Sequence, residues 1–374
     1  MHVRPVRTSR DLKAFIDFPY RHYADDALWA PPLRRDVQSL LSRSKNPFFD
    51  HGEAGYFLAE RDGRVVGRIA AIVNQLHNQT HRDRVGFFGF FETVNDPLIV
   101  AALTTTAGDW LRDRDCDTMR GPMSFSVNDE CGLLVDGFDT PPTIMMPHNP
   151  PYYAALLEQA GFRKAKDLFV YYGHGPAPDD PLGRRLARGA DLVQRRLGLT
   201  VRAINMAKFD EDVESIKRIY NDGWEVNWGF VPMTDREINH LATQFKPVVV
   251  PELVPFVEKD GQVIAFGIAI PDLNEVLRGN RNGRMFPAAL KLLWNIRRRR
   301  ISRVRILLLG VHPDFQGNGI DAMLYNWMWT HGHAMNIHWG EAGWILEDNP
   351  PMNAAMEKIG FIRYKTYRLY DRPV

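Results

Sequence analysis

The sequence predicts a mixed α/β (α+β) protein made of two tandem copies of one domain, and three observations predict it. The first is self-similarity at a period of about 200 residues, the signature of a repeated unit. Asn149-Pro-Pro-Tyr-Tyr-Ala-Ala-Leu-Leu-Glu-Gln-Ala-Gly-Phe162 returns as Asn349-Pro-Pro-Met-Asn-Ala-Ala-Met-Glu-Lys-Ile-Gly-Phe361, and Glu60-Arg-Asp-Gly-Arg-Val-Val66 returns as Glu258-Lys-Asp-Gly-Gln-Val-Ile264. The second is that the segments between them alternate strand-like and helix-like patterns in the same order. The third is a strand, a glycine turn and a helix in direct succession, Ile306 to Trp329, in the second copy only. One Asp-Gly hairpin or one Gly-Phe helix exit would be ordinary, but matched pairs in register are not.

Each copy opens on a short strand, Val3-Arg-Pro-Val6 or Val201-Arg-Ala-Ile204. A helix follows, capped near Thr8 or Ser9 in the first copy and starting near Asp210 in the second. Two strands then flank an Asp-Gly turn. They are Gly55–Glu60 and Arg64–Val73 in the first copy, Pro255–Glu258 and Gln262–Ile270 in the second. A further strand, helix and strand come next, and Asn-Pro-Pro, a helix, Gly-Phe and a last strand close the copy. The Pro/Gly-rich stretch Gly173-His-Gly-Pro-Ala-Pro-Asp-Asp-Pro181 has linker character and divides the chain into 1–178 and 179–374. A basic helix from Leu182 to Leu197 bridges the join.

Composition excludes several classes. With 374 residues, 45% apolar and 25% charged, the chain has room for two ordinary cores. A net charge of +2 points to no nucleic acid. No apolar run approaches the roughly 20 residues that span a bilayer, and Met1-His-Val-Arg-Pro-Val-Arg7 lacks the apolar core of a signal peptide. Cys116 and Cys131 suit neither a disulfide scaffold nor a metal site, so no metal is expected. These features predict a cytoplasmic protein, at most peripheral on the inner membrane face.

The glycine turn carries the chemistry. In Ile306-Leu-Leu-Leu-Gly-Val-His-Pro-Asp-Phe-Gln-Gly-Asn-Gly-Ile-Asp321 the strand ends at Val311, Pro313 breaks it, and Gly317 and Gly319 let backbone approach a ligand. The next helix then points unpaired N–H groups into that space, which suits phosphate. The Gly-Lys-Ser/Thr of a Walker loop and the G-x-G-x-x-G of a dinucleotide fold are both missing. The stretch resembles the acyl-CoA loop of the GNAT N-acyltransferases, V-x-P-x-x-Q/R-x-x-G-x-G/A. Val311, Pro313, Gln316 and Gly319 match in register, and Asp321 stands where that family prefers Gly or Ala. A carboxylate there repels a diphosphate, so either Asp321 turns away or the phosphates sit on residues 317–320.

The resemblance covers nearly the whole chain, twice, and implies two tandem GNAT-type domains. The first is degenerate, since Gly86-Phe-Phe-Gly-Phe-Phe-Glu-Thr-Val-Asn-Asp-Pro-Leu98 has no glycine turn at its helix mouth. It further implies acyl-CoA, acetyl or long-chain, as co-substrate. The residues it places around that molecule are Leu309, Val311, Gln316, Gly317, Asn318, Gly319, Ile320 and Asn349.

Amine acylation needs a neutral amine at the thioester, an acceptor for its proton and a proton for the departing thiolate. The tyrosine that many family members use for the thiolate is replaced by Met356, and by Leu157 in the first copy. Polar residues concentrate instead in Ser124–Gly132 and Met145–Tyr153. Glu130 is the first candidate for the base and His148 the second, with Tyr153 in the same relay and His312 beside the loop. The plainer reading of this cluster is a polar loop and a helix capped by Asn149.

Two surfaces fit an apolar substrate. Trp224, Trp228 and Phe230 stand where the family opens its acceptor groove, although core packing explains them equally well. Residues 287–300 combine Leu290, Leu293, Trp294 and Arg297 at helical spacing with Leu292, Ile296 and a terminal Arg run, as in an interfacial helix or an ordinary surface one. The layout looks like the bacterial double-domain GNAT type that includes GNAT-like ceramide synthases. That implies an amine acceptor, a sphingoid base and a long acyl chain in the most specific reading. The alternatives are acetylation of a small amine or protein by acetyl-CoA, or a non-catalytic CoA-binding sensor. An aminoacyl transfer from charged tRNA is disfavoured by the near-neutral charge.

Overall fold

The computed structural model describes the whole chain except Pro178, Glu225 and Val226, and the backbone alone at Trp224. In the first copy β1 (His2–Pro5) leads to α1 (Ser9–His22), where Thr8 and Asp11 form a capping box. Next come α2 (Arg34–Leu40), β2 (Gly52–Arg61), β3 (Arg64–Asn74), α3 (Gln75–His81), β4 (Val85–Thr93), α4 (Pro97–Arg112) and β5 (Thr118–Gly121). The copy closes with β6 (Leu133–Asp136), α5 (Tyr153–Gln159) and β7 (Arg163–Gly173), and α6 (Pro181–Leu197) crosses to the second copy. There the order repeats as β8 (Leu199–Ala203), α7 (Phe209–Trp224), α8 (Asp235–Phe245), β9 (Pro255–Lys259) and β10 (Gln262–Pro271). It continues with α9 (Asn274–Leu277), α10 (Met285–Arg297), β11 (Arg303–Val311), α11 (Ile320–Ala334), β12 (Trp339–Leu346), α12 (Pro350–Lys358) and β13 (Ile362–Pro373).

All thirteen described strands form one sheet, ordered β1-β2-β3-β4-β5-β13-β7-β12-β11-β10-β9-β8, with β6 also on β13. The order is a near mirror image about its centre, where the closing strands are exchanged. Strand β13 of the second copy lies beside β5 of the first, and β7 of the first lies beside β12 of the second. The two closing strands also pair with each other over most of their length. Hydrogen bonds thus bind the halves through the middle of the sheet, with apolar clusters on both faces. The expected join at 178/179 falls at Pro178, outside the described residues.

Two local expectations change. Asn149 does not cap α5: its carboxamide clamps the backbone N–H and C=O of Leu134 at 2.7 and 3.1 Å, and α5 begins only at Tyr153. Asn349, its counterpart, does cap α12 by accepting from Met352 N. In α10 the apolar face divides. Ala288 and Leu292 pack inward against Leu33 and Leu273, while Leu290 and Trp294 point outward. Packing on the first copy uses the inner stripe and leaves the outer one bare.

Candidate active site

Strands β11 and β12 run parallel and pair only from Arg303↔Trp339 to Ile306↔Ala342. Beyond that point β11 keeps its ladder with β10 while β12 pairs with β7, so the two splay apart into a wedge. The wedge opens toward the glycine turn. Gly317 and Gly319 hold φ of +74° and +80°, a region that side chains beyond glycine rarely enter, and a Cβ at Gly317 would meet open space. Gly319 is the N-cap of α11 and supplies no side-chain bond, which leaves the helix mouth open to an anion. Gln316 Nε2 donates to Val311 O and Asn318 Nδ2 to Phe315 O, so these side chains brace the turn. Asp321 lies in the first turn, its charge felt by Tyr325 one turn on.

The same position in the first copy is shut twice. Asp96 caps α4 through Leu98 N at 2.9 Å and pairs with Arg61, so the helix mouth already holds a carboxylate. Strands β4 and β5 also splay after three residue pairs, but residues 122–132 fill that wedge. Met123 N donates to Phe88 O at 2.7 Å, and a Cβ at Gly89 would come within 2.1 Å of Met123 O.

A polar cluster lies where the halves meet. Glu130 is crowded by protein on several sides while its side chain stays exposed, so it stands in a surface recess. Burial raises its pKa, and Arg68 of β3 and Arg305 of β11 pull it back. Its carboxylate has no hydrogen bond or ion pair among the described residues. Buried N–H groups without partners also stand here, Arg68 Nε, Arg305 Nε and Trp344 Nε1, the last in the ring under Arg305. Unpaired buried donors around an open carboxylate make this the candidate site for a polar group.

Behind it, Glu92 accepts from Tyr23 at 2.6 Å and Tyr153 at 2.8 Å, with Arg68 Nη2 at 3.9 Å. Burial pushes its pKa up to about 7. The Tyr153 hydroxyl also accepts from Thr93 N and lies 3.1 Å from His22 Nε2. His148 Nε2 stands 2.7 Å from Asp26, which the amides of Leu28 and Trp29 hold in place. Its Nδ1 is buried without a partner, and burial lowers its pKa more than Asp26 raises it. A neutral imidazole oriented by a carboxylate is a competent proton acceptor.

No protein-family model matches the sequence. The chain is 38% identical over 380 residues to a Caulobacter vibrioides (strain NA1000 / CB15N) protein named bacterial ceramide synthase, covering 100% of this chain and 97% of that one. It is 37% identical over 377 residues to Protein YghO of Escherichia coli (strain K12), covering 100% and 95%. In fold it is similar to a tandem GNAT protein from the clavulanic acid biosynthesis pathway, with a TM-score of 0.58 at 13% identity and 100% and 98% coverage. It is a tandem GNAT N-acyltransferase of the bacterial double-domain type. As such it is an enzyme that takes its acyl group from acyl-CoA and gives it to an amine.

Within this tandem GNAT the structure gathers Tyr153 and His148 around Tyr23 and Glu92, and links Glu130 to the same group through Arg68. It sets His312 apart. Its Nδ1 accepts from Asp314 N, and Arg305 lies seven residues away on extended chain, about 23 Å. Leu309 and Val311 lie on the splayed part of β11, whereas Asn349 spends its side chain on α12. Met356, at the missing tyrosine, is wholly buried. Phe230 is core and Trp228 packs over Arg120 and Lys166, while the side chain of Trp224 and residues Glu225 and Val226 lie outside the described set. Tyr23, Asp26, Arg68, Glu92 and Arg305 escaped the sequence reading. Glu92 and Arg305 were visible only as charges inside apolar strand runs.

Proposed function

We propose that the protein joins a long-chain acyl group from acyl-CoA to the amine of a sphingoid-type amino alcohol, with 179–374 holding the CoA and 1–178, degenerate as a CoA binder, completing the acceptor side. Glu130 carries this reading: a free carboxylate in a recess, with unpaired N–H donors nearby, fits an ammonium beside hydroxyl oxygens. The diphosphate rests on residues 317–320, and the pantetheine arm follows the splayed edge of β11 through Leu309 and Val311 toward the closed end of the wedge.

Glu130 takes a proton from the ammonium, and the free amine attacks the thioester carbon. The C–N bond forms, the C–S bond breaks, and the thiolate leaves and is protonated. His148, held by Asp26, is the second candidate for the proton step. Tyr153 positions Glu92, and His312 belongs to the loop. The relative named bacterial ceramide synthase supports the choice of acceptor. Purified protein given palmitoyl-CoA and sphinganine should release thiol, and acetyl-CoA with small amines should not. The reverse pattern assigns the protein to small-amine acetylation, and binding without release makes it a CoA sensor. Gly319→Val forces a β-branched residue into φ of +80° against Val193, 3.4 Å away. It should weaken palmitoyl-CoA binding by about tenfold or more in calorimetry.

The outer stripe of α10, together with Phe286 at the kink that opens it, supports a place on the inner membrane face. Phe286, Leu290 and Trp294 are 70%, 55% and 46% exposed, and Arg297 to Arg300 follow, all exposed. Large apolar side chains bounded by cations suit the interface of an anionic bilayer. No described helix is long and apolar enough to cross a membrane. Sedimentation with phosphatidylglycerol vesicles should fall at least fivefold in a Phe286→Ser/Leu290→Ser/Trp294→Ser variant. Equal sedimentation would remove the membrane from the account.

A further inference from the structure

The outward face of the linker helix α6 is unlike the rest of a nearly neutral chain. Leu186, Ala190, Val193 and Leu197 pack it against the α11 cluster. Outside, Arg184, Arg185, Arg188, Arg195 and Arg196 are exposed, and Leu192 among them is 67% exposed. Asp191 is their only acidic neighbour on the helix, 3.9 Å from Arg195. Arg185 to Arg196 span about 17 Å of helix. The end of this row touches the cofactor turn, because Arg196 donates to Asn318 O at 3.2 Å and Val193 faces Gly319.

A single phosphate needs one or two arginines and gains nothing from an exposed leucine. Five guanidinium groups around an apolar centre have the anatomy of a protein interface, and their charge calls for an acidic partner. Position narrows the partner further. Whatever sits on α6 stands at the mouth through which a pantetheine arm enters. We infer that α6 docks an acidic acyl carrier protein, so that the enzyme accepts its long-chain acyl group from a protein-borne phosphopantetheine thioester as well as from CoA.

The inference rests on the acyltransferase reading of the glycine turn and adds a second form of donor. The carrier's phosphodiester takes the place of the CoA diphosphate at residues 317–320. As the amide C–N bond forms, the thioester C–S bond breaks, and the carrier keeps its pantetheine as the thiol once the departing thiolate is protonated.

The test uses the full chain, labelled palmitoyl carrier protein in fluorescence anisotropy, and palmitoyl-CoA in calorimetry. The wild type should bind the carrier, more weakly as salt rises. Arg188→Glu/Arg195→Glu, and separately Leu192→Asp, should weaken carrier binding at least tenfold and change palmitoyl-CoA binding less than twofold, with unaltered melting temperature. Absence of carrier binding by the wild type, or equal binding by the variants, overturns the inference. So does a parallel loss of both donors, which would assign the patch to the CoA 3′-phosphate. Failure of palmitoyl-CoA to bind the wild type would instead strike the reading of the turn itself.

Discussion

Glu130→Gln is expected to lower turnover by about 10²–10⁴-fold while leaving acyl-CoA affinity within twofold. The split follows from geometry: the carboxylate lies in the recess at the seam of the halves, near Arg305, and the glycine turn proposed to hold the diphosphate lies at the far end of β11. Glutamine keeps the size and loses only the proton acceptor. The pH profile distinguishes the mechanism from a packing defect. Burial raises the Glu130 pKa above 4.5, and a base works only when ionised, so wild-type activity should fall as pH drops through that raised value. In Glu130→Gln this acid limb should vanish from the residual rate. A retained limb would transfer the role to His148 or Glu92, and unchanged turnover would remove Glu130 from the mechanism.

Arg68→Met should destabilise the fold by about 3–5 kcal/mol, because it leaves the largely buried Glu92 carboxylate without its cation. Arg68 is 7% exposed, donates to Phe15 O at 2.8 Å and lies 4.9 Å from the centre of the Phe15 ring. It also offsets the charge of both Glu92 and Glu130. The loss should depend on pH with a defined sign. Glu92 has a folded pKa near 7 against 4.5 unfolded, so its protonated form favours folding and its ionisation costs stability as pH rises between those values. Without Arg68 the folded pKa rises further, and the loss extends to higher pH. Urea unfolding should therefore show a larger gap between variant and wild type at pH 8 than at pH 5, and Arg68→Met/Glu92→Gln should narrow it. A gap independent of pH would mean that only packing was lost.

The fold was legible where its causes are local. An Asp-Gly turn, a Thr-x-x-Asp cap and a glycine at positive φ each act within a few residues, so they show in the letters. The chain expected as strand at 64–73 is β3, and the strand expected to end at Val311 does so. The missing glycine turn in the first copy was equally plain, and there the structure adds that Asp96 caps α4. The candidate catalytic cluster was legible only in part. Glu130, His148 and Tyr153 sit in loops and at a helix start, where polar residues draw the eye. Arg68, Glu92 and Arg305 sit inside strands, and their roles depend on what faces them from elsewhere.

By itself the sequence determined that one domain was written twice and that only its second version kept a glycine bend before an uncapped helix mouth, since both are matters of period and local backbone freedom. The tertiary structure alone decided that the closing strands are exchanged. A strand's own pattern makes it pair, but the identity of its neighbour is set by contacts hundreds of residues away. The same long-range contacts brought Arg68 and Arg305 to either side of one carboxylate. They also chose which stripe of α10 was buried, and so which was left facing outward.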